Sequence, residues 1–262
     1  MKSFIVAFTL IITLSLSSCS EGHQNPNIII IYTDDLGYGD VSAYGATEIN
    51  TPNMDFLANN GVQFTQGYAS SATCTPSRYA LLTGSYPWKE KRARILPGTA
   101  PLIIDTAQIT LPKMLKKQGY QTAVIGKWHL GSSEPVKKED RGGYDYWLGS
   151  NLLEFTSDAY ETYVYDGQNK KVFLPGYRVD AITDAAINFI KLNQKKPFFL
   201  FVSLIEPHHQ NNTDDYPPPI GYREKYTGKW SPPDLSSLVG SSPRHLGGYY
   251  GTVSYTHLTL PT

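Results

Sequence analysis

Apolar runs alternate with amphipathic segments along most of the chain. Asn27 to Tyr32 is nearly all isoleucine, and Thr122 to Ile125 and Phe198 to Ile205 are two further apolar runs. A continuous apolar run predicts a strand that is buried on both faces, whereas a strand with one wet face alternates. Strands of this kind separated by helical segments predict an α/β protein with a largely parallel central sheet.

Helix signals lie between these strands. Thr51 and Pro52 predict a helix start and Gly61 predicts its end, and Thr110 to Gln118 repeats the pattern. Val179 to Leu192 carries its apolar residues on one stripe, which predicts the helix before the third strand. The remaining patterned segments are a hairpin and a long surface excursion, predicted at Tyr163 to Leu174 and at Pro217 to Pro243.

Each predicted strand runs into chemically useful side chains. Asp34 and Asp35 follow the first strand, Lys127 and His129 the second, and His208 the third. Ligands of such sheets bind beyond the carboxyl ends of the strands, so we expect these side chains to share one edge. Alternation along an extended segment would turn Lys127 and His129 to the same side.

Each of these candidate site residues could also have a purely structural role. Adjacent carboxylates repel each other unless a cation is near, but an Asp-Asp pair before a glycine turn is often only a cap. Lys127 is also compatible with a solvated side chain, and His129 with a hydrogen-bonded core histidine. His209 is compatible with a substrate contact or with no role.

Cys74 stands just before Ser77 to Thr83, a segment with the composition of a first helical turn. A helix N-terminus favours negative charge, because its backbone N–H groups point at the ligand. Arg78 lies four residues after Cys74 and therefore on the same helical face. A small buried thiol is the alternative role for Cys74.

Several strings together resemble the signature of the type I, formylglycine-dependent sulfatases. They are C-T-P-S-R with L-L-T-G at 74–84, D-D-L-G-Y-G-D at 34–40, G-K-W-H-L-G at 126–131 and P-H at 207–208. The resemblance covers about residues 26–251. It implies an alkaline phosphatase-like α/β sandwich, of which the C-terminal part is missing here.

The resemblance also implies roles for individual residues. Asp34, Asp35 and residue 74 would bind Ca²⁺, for which oxygen ligands are suited. Residue 74 would be a formylglycine made from cysteine by a formylglycine-generating or sulfatase-maturating enzyme. Its hydrated aldehyde carries two hydroxyls, so one can take the sulfate while the other expels it. Lys127 would contact the sulfate, and Arg78 would hold the hydrated aldehyde. His129 would act as a base, and His208 would donate a proton to the leaving alcohol.

The first residues predict export. Met1-Lys2 is followed by an apolar run from Phe4 to Leu16 that is short for a membrane span, and then by Leu-Ser-Ser-Cys ending at Cys19. This pattern resembles a bacterial lipoprotein signal over residues 1–18, with lipid on Cys19 and a polar tether over 19–25. We therefore expect a lipid-anchored protein of the bacterial cell envelope; an ordinary signal peptide is the alternative.

The composition limits the classes of binding partner that the sequence supports. The chain has 23 basic and 23 acidic residues and a formal net charge of 0, so no overall field points to nucleic acid or to a membrane surface. Once Cys19 is assigned to the lipid, Cys74 has no partner for an intrachain disulfide. We expect the membrane to be contacted only through the lipid.

Two departures from the family pattern are visible near the end of the chain. A later Asp-Asn pair and a further lysine of the family pattern are absent, and the helix expected at Tyr249 to Gly251 has no amphipathic continuation. Residues 253–262 back-translate to a string that resembles a sequencing adapter. We therefore expect a catalytic domain over 26–251 that is incomplete and inactive as given, with a non-native tail over 252–262.

The sequence thus predicts a sulfuric ester hydrolase acting on a sulfated carbohydrate, with Ca²⁺ and formylglycine as cofactors. A phosphonate or phosphate monoester hydrolase of the same superfamily is one alternative. A surface lipoprotein that binds glycans without catalysis is another.

Overall fold

The computed structural model describes residues 25–153, 158–232 and 242–255. The strands are β1 Ile28–Asp34, β2 Gln121–Lys127, β3 Tyr146–Ser150, β4 Thr162–Tyr165, β5 Lys171–Leu174 and β6 Phe198–Pro207. The α-helices are α1 Pro52–Asn60, α2 Cys74–Thr83, α3 Leu111–Lys117, α4 Arg178–Leu192 and α5 Ser242–Tyr255. Short 3₁₀ helices lie at Tyr38–Asp40, Ser42–Tyr44, Pro87–Lys89, Lys138–Asp140 and Arg223–Lys225.

The strands form one sheet in the order β1-β6-β2-β3-β4-β5. The first four strands of that order are parallel, whereas β4 and β5 are antiparallel to their neighbours. Val202 in β6 lies level with Ile31 of β1 and Ile125 of β2. The carboxyl ends of these three strands therefore meet at one edge, which confirms the α/β prediction and the expected meeting of the strand ends.

Helices cover both faces of the sheet. Ile28 and Ile30 pack in the same cluster as residues of α2 and α3, whereas Ile29 and Ile31 pack with residues of α4. Successive side chains of a strand point to opposite faces, so a single run of isoleucines supplies two cores. Two covered faces explain why β2 and β6 are apolar almost throughout.

Most predicted elements are confirmed within two residues at each end. Helices α1, α3 and α4 lie where the caps and the apolar stripe indicated, and β4 and β5 form the predicted hairpin. The sequence analysis missed β3, a five-residue strand. A strand this short is hard to distinguish from loop by pattern, and its pairing with β2 decides its conformation.

The prediction of a fully buried first strand was wrong. Six of the seven residues of β1 are only half-buried, with Asp34 the exception. The reason is its place in the sheet, because among the described residues β1 has a strand neighbour on one side only. Sequence pattern reports the apolar character of a strand and not its order in the sheet.

The expectation that the helix near Gly251 stops there was also wrong. α5 continues to Tyr255, and Val253 is buried against Ile49 and Tyr250. Residues 252–255 are therefore part of the packed domain. Residues 256–262 of the predicted tail lie outside the described residues.

The predicted surface excursion packs in part against α5. A Cβ at Gly247 would lie 2.4 Å from Thr227 Oγ1, and one at Gly248 would lie 2.4 Å from the Tyr216 carbonyl oxygen. Glycines on this face of α5 therefore allow the segment to approach the helix closely.

None of the described helices is long and apolar enough to cross a bilayer. The predicted signal peptide and Cys19 lie outside the described residues.

Candidate active site

Cys74 is the first residue of α2, which confirms that it lies at a helix N-terminus, although the helix begins three residues earlier than Ser77. Its thiol is half-buried and unbridged, and Sγ lies 3.3 Å from Asp34 Oδ1 at the end of β1. Gly84 ends α2 in the left-handed conformation with φ 65°, which a glycine adopts without strain. The fold thus sets residue 74 at a helix N-terminus and at the carboxyl edge of the sheet.

Asp34 is a buried anion held by two cations. Its Oδ2 lies 2.7 Å from Lys127 Nζ and 3.4 Å from Arg78 Nη2. Burial alone would raise the pKa of Asp34, but the charges of Arg78 and Lys127 outweigh burial and hold the pKa well below its ordinary value. Asp34 is therefore ionised at neutral pH.

Lys127 and Arg78 are themselves fixed by β2 and β6. Arg78 Nη1 donates to the Lys127 carbonyl oxygen at 2.9 Å and to Ser203 Oγ at 2.5 Å, and Ser203 Oγ donates to the same carbonyl at 2.7 Å. Gly126 has φ 110°, and a Cβ there would lie 2.0 Å from the Ser203 carbonyl oxygen. Only glycine fits this approach of β2 to β6.

Sequence reasoning missed Ser203, although a signal was present. It is the one hydroxyl within an otherwise apolar buried strand, F-F-L-F-V-S-L-I. A buried polar group needs a hydrogen-bond partner, so a lone serine in such a run indicates a specific contact. That contact proves to be the Arg78 guanidinium.

Asp35 and His208 form the more open side of the site. His208 Nε2 lies 3.6 Å from Asp35 Oδ2, and His208 Nδ1 lies 2.6 Å from the His209 carbonyl oxygen. A carbonyl can only accept, so Nδ1 carries a proton and Nε2 faces the carboxylate. Burial, and then the neighbouring Asp34 charge, raise the pKa of Asp35. Asp35 also adopts φ 65°, an uncommon value for a residue other than glycine.

The thiol itself is poorly ionised. Burial raises the pKa of Cys74 to about 11, and the charge of Asp34 adds to the rise while Lys127 opposes it. A thiol with this pKa is almost wholly protonated at neutral pH and is a weak nucleophile. The surroundings of residue 74 are therefore unsuited to thiolate chemistry.

The donor set fits a calcium ion once residue 74 carries oxygen. Ligand atoms of Asp34, Cys74 and His208 all lie within 4.8 Å of one another, with Asp35 beside them. Two adjacent carboxylates suit a hard cation, but a thiol does not. A hydroxyl in place of Sγ would complete an oxygen set, so these residues fit the metal only in the converted form of residue 74.

The argument from alternation was wrong for His129. β2 ends at Lys127, and His129 adopts φ 51°, so the two residues do not belong to one extended segment. His129 Nε2 donates to the Leu96 carbonyl oxygen at 2.9 Å, which leaves Nδ1 as the basic atom of the neutral ring. Thr75 Oγ1 donates to the His129 carbonyl oxygen at 2.9 Å and ties it to the start of α2.

A buried ion pair supports the strand that carries His208. Arg178 Nε lies 2.7 Å from Glu206 Oε1, and Arg178 Nη1 lies 3.2 Å from Gln210 Oε1. Arg178 begins α4 and Glu206 is near the end of β6, so the pair joins a helix to the strand end. Sequence reasoning missed both, because nothing in their spacing pairs them.

Comparisons with known proteins agree with this geometry. The family model described as Sulfatase matches residues 26–259. An N-acetylgalactosamine-6-O-sulfatase of Bacteroides thetaiotaomicron is 55% identical over 126 residues, which cover 48% of this chain and 24% of the relative. An N-acetylglucosamine-6-O-sulfatase of the same organism is 36% identical over 235 residues, which cover 82% of this chain and 39% of the relative.

A solved structure from Bacteroides fragilis superposes with a TM-score of 0.74 at 22% identity, covering 92% of this chain and 58% of that one. At this identity the likeness supports the alkaline phosphatase-like fold alone. The chain spans less than two thirds of the length of each of these proteins.

Proposed function

The chain belongs to the sulfatase family, and from that premise we propose that the whole protein hydrolyses sulfate esters at residue 74. One observation carries the proposal: Cys74, at the N-terminus of α2, lies beside Asp34, and Asp34 is held by Lys127 and Arg78. Two cations and a helix N-terminus at one point suit a tetrahedral dianion such as sulfate.

The proposed roles of Lys127 and Arg78 follow from their contacts, and that of His129 follows from the family resemblance. Lys127 Nζ lies 3.6 Å from Cys74 Sγ, so an ammonium at this distance can hold a sulfate oxygen attached at residue 74. Arg78 is fixed by Ser203 and orients Asp34 and residue 74. His129, with Nδ1 as its basic atom, would accept a proton from a hydroxyl of residue 74.

His208 would supply the proton for the departing alcohol. Its Nδ1–H is held by the His209 carbonyl oxygen, and its Nε2 faces Asp35. When the sulfur–oxygen bond to the alcohol breaks, the alcohol oxygen takes the Nε2 proton. The charge of Asp35 and the hydrogen bond at Nδ1 together fix the direction of that proton.

Two groups complete the proposed chemistry. A hydrated formylglycine made from Cys74 would supply a hydroxyl nucleophile in place of the poorly ionised thiol. Ca²⁺ held by Asp34, Asp35 and residue 74 would neutralise charge on the sulfate oxygens.

We propose a sulfated carbohydrate as the substrate and a lipid-anchored place in the bacterial envelope. The names of the two Bacteroides thetaiotaomicron relatives support the first part, because both act on 6-O-sulfated amino sugars. The lipoprotein-like start of the chain supports the second. Sulfated N-acetylgalactosamine and N-acetylglucosamine are therefore the first substrates to test.

The decisive experiment uses the full-length protein from the native gene, co-expressed with a formylglycine-generating enzyme. Mass spectrometry should find the aldehyde at residue 74, and 6-O-sulfated amino sugars should release sulfate. Cys74→Ala should abolish turnover and leave the fold intact. Cys19→Ala removes the other cysteine of the chain and is the matched control, which should keep full turnover of soluble substrate.

The outcomes separate the alternatives. Turnover in Cys74→Ala close to that of the parent would refute the mechanism. A preference for phosphonate over sulfate esters would favour the phosphonate monoester hydrolases. If residue 74 remains a cysteine in cells that contain an active formylglycine-generating enzyme, and the protein binds sugar without turnover, a glycan-binding protein would be favoured.

A further inference from the structure

A second group of metal-ligating side chains lies beside the proposed active site. His209 and Asp214 belong to the loop after β6, and His245 belongs to α5. His209 Nε2 lies 3.2 Å and His245 Nε2 lies 3.8 Å from the same oxygen, Asp214 Oδ1. The three ligand atoms all lie within 4.8 Å of one another.

The hydrogen bond at the far side of His209 determines what its Nε2 presents. His209 Nδ1 lies 3.2 Å from Asn211 Oδ1, and an amide oxygen can only accept. Nδ1 therefore carries the proton, and the neutral ring turns the lone pair of Nε2 toward a carboxylate oxygen. Two electron-rich atoms at this distance need a cation between them, either a proton or a metal ion.

His245 favours the metal ion. Its Nδ1 is buried and has no hydrogen-bond partner among the described residues. A doubly protonated ring would leave a buried charged N–H unsatisfied, which is costly. A metal ion on Nε2 leaves the Nδ1 proton in place but spares the ring a full positive charge, so the buried N–H costs less.

Asp214 is oriented by a partner on its other oxygen. Arg244 Nη1 lies 3.2 Å from Asp214 Oδ2, so Oδ1 is the oxygen directed at the two imidazoles. In the same way, the hydrogen bond from His209 Nδ1 to Asn211 Oδ1 directs His209 Nε2 at the site. Metal ligands are commonly held in this way by hydrogen bonds from groups around them.

We propose that His209, Asp214 and His245 bind a divalent transition-metal ion, with Zn²⁺ as the probe. Ligand atoms of a tetrahedral zinc site with bonds of about 2.0–2.1 Å lie roughly 3.3 Å apart, close to the two separations to Asp214 Oδ1. Two imidazoles with one carboxylate suit zinc better than calcium. The site is therefore chemically distinct from the Asp34 and Asp35 pair.

The ion would join α5 to the loop that carries His208. His209 follows His208 directly, and Tyr216 packs edge-on against both metal-binding rings, with centroids 5.1 Å from His209 and 5.7 Å from His245. Asp214 is 63% exposed, which gives an ion a route from solvent. Binding would stabilise this loop against α5.

The test measures Zn²⁺ binding by calorimetry on the metal-stripped 262-residue chain, and independently the visible spectrum of Co²⁺ in the same site. All variants carry Cys74→Ala, which removes the thiol ligand from the cluster with Asp34 and His208 and so weakens zinc binding there. We expect one equivalent of zinc, a tetrahedral cobalt spectrum and a rise in melting temperature. His209→Ala and His245→Ala should each weaken zinc binding at least roughly a hundredfold. Asn211→Ala should weaken it about tenfold, because it acts through His209.

Glu90→Gln is the matched control, because it removes a carboxylate from a surface ion pair with Arg92 that includes none of the three ligands, and it should leave zinc affinity unchanged. Far-UV circular dichroism checks that each variant is folded. Unchanged zinc binding in both histidine variants, or no binding by the parent, would mean an ordinary ion pair only and would overturn the proposal. Because no substrate is involved, the result is independent of whether the protein proves to be a sulfatase.

Discussion

The buried carboxylate of Asp34 gives the sharpest test of how the site is held together. Asp34→Asn keeps the shape of the side chain and removes its charge. The two cations that face it are almost inaccessible, with exposed fractions of 0% for the Lys127 side chain and 2% for that of Arg78. The substitution removes the charge of Asp34 from both of these buried cations.

Breaking a buried ion pair by removing one partner costs about 3–5 kcal/mol. We therefore expect Asp34→Asn to lose an amount in this range, a large part of the roughly 5–15 kcal/mol typical of a folded domain. The matched control is Glu90→Gln, which also converts a carboxylate to an amide, in a surface pair where the Arg92 side chain is 53% exposed. Surface pairs contribute about 0.2–1 kcal/mol.

Urea denaturation at pH 7 with EDTA, followed by far-UV circular dichroism, measures both losses without bound calcium. The midpoint for Asp34→Asn should fall with an unchanged slope, which marks a loss of stability and not of compactness. The double variant Asp34→Asn, Lys127→Met should recover part of the loss, because it also removes one of the two buried cations. Equal losses in Asp34→Asn and Glu90→Gln would refute the reasoning.

The pH dependence of stability supplies an independent check. The folded pKa of Asp34 is depressed, so its contribution is complete above the unfolded value of about 4 and is lost as the pH falls toward the folded value. The parent should therefore lose stability below about pH 5 more steeply than Asp34→Asn. Parallel curves for the two proteins would contradict the assignment.

Three further predictions concern other parts of the chain. Burial and Asp34 raise the pKa of Cys74 to about 11. In a Cys19→Ala background at pH 8, iodoacetamide should therefore alkylate the unconverted thiol of the folded protein roughly a hundredfold more slowly than that of the urea-unfolded protein. Equal rates would contradict the buried, charged surroundings of the thiol. Cys19→Ala should release the full-length protein from membrane fractions, since it removes the predicted lipid attachment; unchanged membrane association would favour an uncleaved signal anchor. Independent genomic sequence should read differently from this chain over residues 253–262 and should supply an Asp-Asn pair and a later lysine; the same residues followed by a stop codon would show that the tail is native.

The sequence by itself predicted most of the elements and the candidate site residues at their ends. Continuous apolar runs predicted strands buried on two faces, because only a covered sheet leaves no polar face to solvent. The threonines before α1 and α3 and the glycines after them indicated where those helices begin and end. Cys74, Asp34, Lys127 and His208 were each predicted from local pattern or motif, because the carboxyl ends of parallel strands meet at one edge.

Only the tertiary structure decided how these residues act on one another. Arg78 was predicted to face the site, but its partner Ser203 lies in β6, 125 positions further along the chain. His129 was expected to alternate with Lys127, yet the strand ends between them and a left-handed residue turns the ring to Leu96. The half-buried state of β1 follows from its place in the sheet, and the continuation of α5 from a small cluster that buries Val253. Strand order, ion pairing and burial depend on contacts between residues far apart in sequence, and local pattern carries no record of those contacts.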